Sequence, residues 1–126
     1  MPVSFSVDEQ TGLFFYNCDG RVTGAELLRA PVQRKAAVSG VYDMVVDLST
    51  VQAIDITPSE MEELVRTPMD SSRLAIVAPR PALFGLGRMF QISAEVLGHE
   101  REIEVFRNLE EAILWLRGAT SAGAGP

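Results

Sequence analysis

The stretch Tyr42-Asp-Met-Val-Val-Asp-Leu-Ser-Thr-Val-Gln-Ala-Ile-Asp-Ile-Thr-Pro-Ser-Glu60 decides the fold. Its first part, Tyr42 to Leu48, is a nearly continuous apolar run rich in Val, the pattern of a strand covered by helices on both faces. Its last part, Thr57-Pro-Ser-Glu60, is a capping box: a hydroxyl at N-cap and a carboxylate three residues on satisfy the orphan N–H groups of a helix start. Proline falls at the first helical position, where no donor is missed. A second apolar run, Arg73-Leu-Ala-Ile-Val-Ala78, follows at the distance of a βαβ crossover.

The same signals extend in both directions. Thr23-Gly-Ala-Glu26 repeats the capping box and Asn108-Leu-Glu-Glu111 is a variant with Asn as cap, so both mark helix starts. Val3, Phe5 and Val7 alternate with polar or small residues, as in a strand with one dry face, and Asp8 to Gly12 forms a turn. Leu13-Phe-Phe-Tyr-Asn-Cys18, apolar on both faces, reads as an interior strand completing a hairpin and ending at Cys18. Glu102-Ile-Glu-Val-Phe106 alternates and reads as an edge strand. A further helix runs from near Pro81 to about Leu97, and Pro31 is expected to kink or divide the helix it lies in. The order β-β-α-β-α-β-α-β-α predicts one α/β domain over residues 1–117, its mixed sheet continuing an N-terminal antiparallel hairpin through parallel, helix-flanked strands. Residues 118–126, Gly-Ala-Thr-Ser-Ala-Gly-Ala-Gly-Pro, have no apolar face to bury and are expected to be disordered.

Composition sets the limits on function. The chain has 126 residues, 47% of them hydrophobic, and 17 acidic against 11 basic side chains give a net charge of −6, the wrong sign for a phosphate-binding footprint on nucleic acid. No apolar run approaches a membrane span, and the N-terminus lacks the pattern of a signal peptide. One Cys and one His exclude an internal disulfide and a standard zinc cage, which points to a reducing, cytoplasmic location. No metal or cofactor is expected.

Val45-Val-Asp-Leu-Ser-Thr-Val-Gln-Ala-Ile-Asp-Ile-Thr57 resembles the central segment of STAS domains, where a buried strand ends in Asp-Leu-Ser and a short loop leads through Ile-Asp to a helix-capping hydroxyl. Leu74-Ala-Ile-Val-Ala-Pro79, Phe84-Gly-Leu-Gly-Arg-Met89 and the segment Ile103 to Leu116 resemble the SpoIIAA-like family, a STAS-related group of small bacterial proteins. The resemblance spans most of residues 3–117 and implies a STAS-like, or lipid-transfer-like, α/β fold. In phospho-regulated STAS proteins an Asp-Ser-Ser-Gly stretch presents a phosphorylatable hydroxyl at a helix start. The matching stretch here is Asp55-Ile-Thr-Pro58, which makes Thr57 a candidate phosphosite. Pro58 removes a donor that would hold the phosphate and Asp55 and Glu60 would repel it, so a plain N-cap is the competing reading.

The segment Pro79 to Phe90 is the most unusual. Gly85 and Gly87 each cost a helix about 1 kcal/mol relative to Ala, which calls for a close backbone approach, a ligand or another subunit. Gly-x-Gly alone falls short of the dinucleotide fingerprint. Arg80 and Arg88 are candidate anion contacts at a helix start that lacks a side-chain cap. Helical spacing directs Leu83, Leu86, Phe90, Ala94 and Leu97 to the sheet, with Phe84, Arg88, Gln91 and Glu95 opposite and Arg88 within reach of Glu95 or a partner carboxylate. Met89, Ile92 and Val96 widen the apolar arc beyond what one sheet face needs. Phe84, Gly85, Gly87, Arg88 and Ile92 are therefore the candidate interaction or ligand surface.

The remaining chemistry-bearing residues read as structural. Trp115 belongs to an amphipathic helix, Asp47 and Asp55 suit Asx-turns, Cys18 has only Arg21 as a basic neighbour, and Asp43 needs a partner if buried. His99 follows Gly98 in a turn. No nucleophile, base or metal set assembles, so no catalytic residue is expected. Two functions stay open. One is a non-enzymatic STAS-like regulatory or protein-interaction domain, with a protein partner or a second copy. The other is a carrier or sensor of a small amphipathic or lipid-like ligand held between the residue 81–97 helix and the sheet.

Overall fold

The computed structural model describes residues 3–37, 42–67, 73–98 and 102–118. The elements follow the predicted order: β1 (Val3–Asp8), β2 (Leu13–Thr23), α1 (Gly24–Ala37), β3 (Asp43–Asp55), α2 (Pro58–Arg66), β4 (Arg73–Val77), α3 (Pro81–Val96), β5 (Glu102–Phe106) and α4 (Leu109–Leu116). The strands form one sheet in the order β1-β2-β3-β4-β5. β1 and β2 are antiparallel and every later pair is parallel. Thus β2 is interior and β5 is an edge, as their burial patterns required.

Alternation along the central strands divides the core in two. Met44, Leu74 and Ile76 point to one side, where they pack with Ala30 of α1, Leu64 of α2 and Leu83, Phe90 and Ala94 of α3. Val45, Ala75 and Val77 point to the other, against Ala112 and Leu116 of α4. Both faces of β3 and β4 are therefore dry, which explains why their sequences do not alternate.

All three marked helix starts are capped. Thr23 accepts from the Glu26 N–H at 3.2 Å while Glu26 accepts from the Thr23 N–H at 2.9 Å. Thr57 and Glu60 repeat the reciprocal pair at 3.1 and 2.9 Å, and Asn108 accepts from the Glu111 N–H at 2.9 Å.

Three expectations are corrected. β2 and β3 do not stop at Cys18 and Leu48. They continue as a parallel ladder from Asp19 to Thr23 against Thr50 to Asp55, past two register shifts. Cys18 is consequently inside a strand, and most of the loop expected before Thr57 is strand. The polar residues Ser49 and Thr50 hid this: the Asp47 carboxylate accepts from the Ser49 N–H at 2.9 Å, and the Thr50 hydroxyl donates to the Cys18 carbonyl at 3.0 Å, so the irregularity is itself hydrogen-bonded. Pro31 does not divide α1, which runs on to Ala37. The helix is fastened beside it by the buried Tyr16 hydroxyl, which donates to the Ala30 carbonyl at 3.1 Å. Tertiary anchoring outweighs the local breaker signal. Finally, Phe5 is not dry but 37% exposed, stacked on Phe14 at the sheet's first edge.

Asp43 has the partner it needed. Arg73 donates to its carboxylate at 3.1 Å, with both side chains mostly buried, and also donates to the Trp115 carbonyl at 3.1 Å and to the Leu116 carbonyl. Its guanidinium lies 5.4 Å from the Trp115 ring centroid. One cation thus joins the starts of β3 and β4 to the C-terminal end of α4, where the helix dipole favours positive charge. Gly118, at φ 79°, then closes α4 by donating to the Trp115 carbonyl at 3.0 Å. His99 and the expected disordered tail beyond Gly118 lie outside the described residues.

Arg73→Ala is expected to lower the unfolding free energy by about 2 kcal/mol, because it removes the cation bonded to a mostly buried carboxylate and to two helix-end carbonyls. Urea unfolding checks this, and Asp43→Ala in the Arg73→Ala background should cost little more.

Candidate functional site

The site is built by α3. A methyl group added at Gly87 would lie 3.2 Å from Val105 Cγ1 and 3.4 Å from Ile76 Cγ2, so the bare backbone is what lets the helix settle onto β4 and β5. This contact sets the rotation of the helix. Its buried residues are Leu83, Gly87, Phe90, Gln91 and Ala94. The predicted sheet-facing stripe was therefore offset: Leu97 is 45% exposed, while Gln91, assigned to the outer side, is buried.

Gln91 is satisfied in that position. Its Nε2 donates to the Ile103 carbonyl of β5 at 2.6 Å, and its Oε1 accepts from Arg88 Nη1 at 2.8 Å. Arg88 consequently orients a buried amide from the exposed surface rather than pairing with Glu95 of its own chain. Gln91 was missed by sequence reasoning: it stands one turn after Gly87, whose inward direction comes from its contact with Val105 and Ile76 and not from helical spacing.

The other candidate residues separate. Arg80 is the exposed N-cap of α3 and makes no side-chain cap. It and Arg88 belong to different turns of the helix, and Arg88 is committed to Gln91. Phe84 is half-buried against the larger core cluster and beneath the Arg107 guanidinium, which lies 4.2 Å from its ring centroid, rather than lining an open pocket. Gly85 is exposed with nothing within 4 Å of an added methyl. No contact within the described chain explains that glycine.

Ile92 falls in a different setting. Met89, Ile92 and Val96 are 58%, 51% and 80% exposed. With Leu86 and Leu97 they form one wall of a groove of about 500 Å³, whose other wall is Ile56, Thr57, Pro58, Met61 and Val65 of the α2 side. The apolar surplus inferred on this helix is thus real and open to solvent. Thr57 borders the groove with its hydroxyl accepting the helix cap.

Behind the groove, between α1, α2, α3 and the sheet, is a second cavity of about 90 Å³. Its walls include Tyr16, Cys18, Leu48, Ile54, Leu83 and Phe90, and neither Arg80 nor Arg88. Burial pushes the Cys18 thiol from 9.0 up to about 12, helped by the nearby charges of Asp47 and Glu26. That thiol is no nucleophile at neutral pH.

Asp55 pairs on the surface with Arg21 at 3.2 Å, and Asp47 serves the turn at Ser49. Trp115 is half-buried against Phe106, with ring centroids 5.6 Å apart. Among the described residues no group of three or more His, Cys, Asp or Glu side chains is placed to hold a metal ion. No described helix is long and apolar enough to cross a membrane.

Three helices on one face of this mixed sheet and a fourth on the other constitute a SpoIIAA-like α/β fold, as the sequence resemblance implied. The chain is similar in structure to an uncharacterized protein of the DUF3478 family with a SpoIIAA-like fold from Shewanella loihica PV-4, at a TM-score of 0.60 over 90% of this chain and 91% of that one. The two are 13% identical in sequence, so the likeness concerns the fold. No family model matches the sequence, and no curated protein matches it significantly.

Two measurements test this geometry. Gly87→Ala should destabilise the protein by about 1 kcal/mol, the crowding against Val105 and Ile76 exceeding the gain in helix propensity, whereas Gly85→Ala should stabilise it in dilute solution by up to about 1 kcal/mol. Thermal unfolding of the two variants checks the contrast. The second concerns pH. Because the folded thiol titrates near 12 and the unfolded one near 9, Cys18 contributes stability that is complete below pH 9 and is lost as pH rises towards 12. Cys18→Ala should show a shallower alkaline decline in urea unfolding than the parent chain.

Proposed function

We propose that this chain is a non-enzymatic SpoIIAA-like domain that regulates by binding protein through the α2–α3 face. The observation that carries this reading is the exposure of Met89, Ile92 and Val96 together on one side of a groove. Contiguous apolar surface of this kind, edged by Glu62 and Arg66, is typical of interaction sites. Thr57 is on the same face, so a phosphoryl group there would add charge at the groove's edge, beside the cap closed by Glu60, and weaken apolar docking. The lone buried thiol suits action in the cytoplasm.

The carrier reading has less support. The inner cavity occupies the expected place between α3 and the sheet, but about 90 Å³ is far below the roughly 300–1,000 Å³ of small-molecule pockets. Among the described residues its walls also lack the cationic end that an amphipathic ligand would need. The scarcity of His and Cys adds weight to binding over catalysis.

Photo-crosslinking inside cells tests the proposal. A benzophenone side chain at position 92 should give a protein adduct, and one at Leu114, on α4 at the opposite face of the sheet, should not. Crosslinks at neither position, with a small-molecule adduct retained in native mass spectrometry, would overturn the interaction reading in favour of the carrier.

A further inference from the structure

The outer face of α3 has an order that one exposed patch does not require. Ala82, Gly85, Met89, Ile92 and Val96 are all exposed, all without polar side chains, and spaced three, four, three and four residues apart. That is the seven-residue seam of a helix pair, and the residues that α3 buries against its own sheet, Gly87, Phe90, Gln91 and Ala94, occupy the arc opposite. We infer that α3 packs antiparallel against α3 of a second copy of this chain, related by a two-fold axis between Met89 and Ile92. This rests on the interaction reading of the same face and names its partner.

Side-chain size and charge select that arrangement. With the axis so placed, Met89 meets Ile92 of the second copy, and Val96, the most exposed large apolar residue of the seam, meets Gly85. The glycine that no contact among the described residues explains becomes the notch for a β-branched side chain. Arg88 and Glu95 flank the seam on one side, seven residues apart and both exposed. Antiparallel pairing in this register brings Arg88 of each copy to Glu95 of the other, twice by symmetry. Sliding one copy by a heptad would set Arg88 against Arg88, and a parallel pair would set it against Ser93. Only the stated register matches the charges. Arg88 is already held by its bond to the buried Gln91 through one Nη, which leaves its remaining N–H groups for the second copy.

Sedimentation equilibrium of the purified full chain provides the test. The parent chain should be dimeric at micromolar concentration. Glu95→Arg and Arg88→Glu should each weaken the dimer by about tenfold or more, since each replaces two attractions with two repulsions. Mixing the two variants should restore a heterodimer of parental affinity, because both contacts then pair Glu with Arg. Loss of the Arg88–Gln91 bond alone predicts no such rescue. A parent chain that stays monomeric up to about 100 µM, or mixed variants that do not pair, would overturn the inference. In that event a crosslink from position 92 to a different protein leaves the interaction reading standing, and no protein crosslink removes both.

Discussion

The close approach of α3 to β4 and β5 at Gly87 is the constraint on which the rest of the site depends. Even a methyl group there would crowd Val105 and Ile76, so the helix sits at a depth and rotation that glycine best permits. Once position 87 faces the sheet, positions 83, 90, 91 and 94 must face it too, and 85, 89, 92 and 96 must face away. The buried amide of Gln91 follows from the same rotation. A polar side chain at that depth is tolerable because β5 offers the Ile103 carbonyl and Arg88 supplies a donor to the amide oxygen.

A helix that is apolar on two sides is unusual on a small sheet. On its inner side the apolar residues complete the larger core cluster with Phe14, Met44 and Leu74. On its outer side nothing in the described chain covers Met89, Ile92 or Val96, and leaving such area in water forgoes roughly 25 cal/mol per Å². The fold does not need those residues to be apolar. Their spacing and flanking charges make sense as a surface for association, and the fully apolar, small inner cavity does not compete with it as a site for an amphipathic ligand.

Much of the architecture was legible because its signals are local. The reciprocal caps at Thr23 and Thr57, the apolar runs of β3 and β4 and the alternation of β5 each report on their own segment. What escaped reading depends on partners far away in the chain. The extensions of β2 and β3 stabilise one another across a bulge, so the polar Ser49 and Thr50 looked like a loop. Pro31 is accommodated within α1, which Tyr16 anchors from the sheet. The Asp43–Arg73 pair links residues 30 positions apart. In the candidate site the apolar surplus was correctly located on α3, yet helical spacing alone left its rotation free by about one residue, enough to exchange Gln91 with Leu97. Phe84 and Arg88 were grouped with Ile92 by proximity in sequence, whereas Arg107 and Gln91 claim them.

The central claim is that α3 builds the core with one face and binds with the other. Equilibrium urea unfolding over a range of protein concentrations, comparing the parent chain with Ile92→Glu, tests it most directly. If the claim holds, the parental midpoint rises with concentration, while the variant's does not and coincides with the parent's dilute limit to within about 0.5 kcal/mol. A variant that falls well below that limit would place Ile92 in the core. Identical concentration dependence in the two chains would remove the outer face of α3 from self-association.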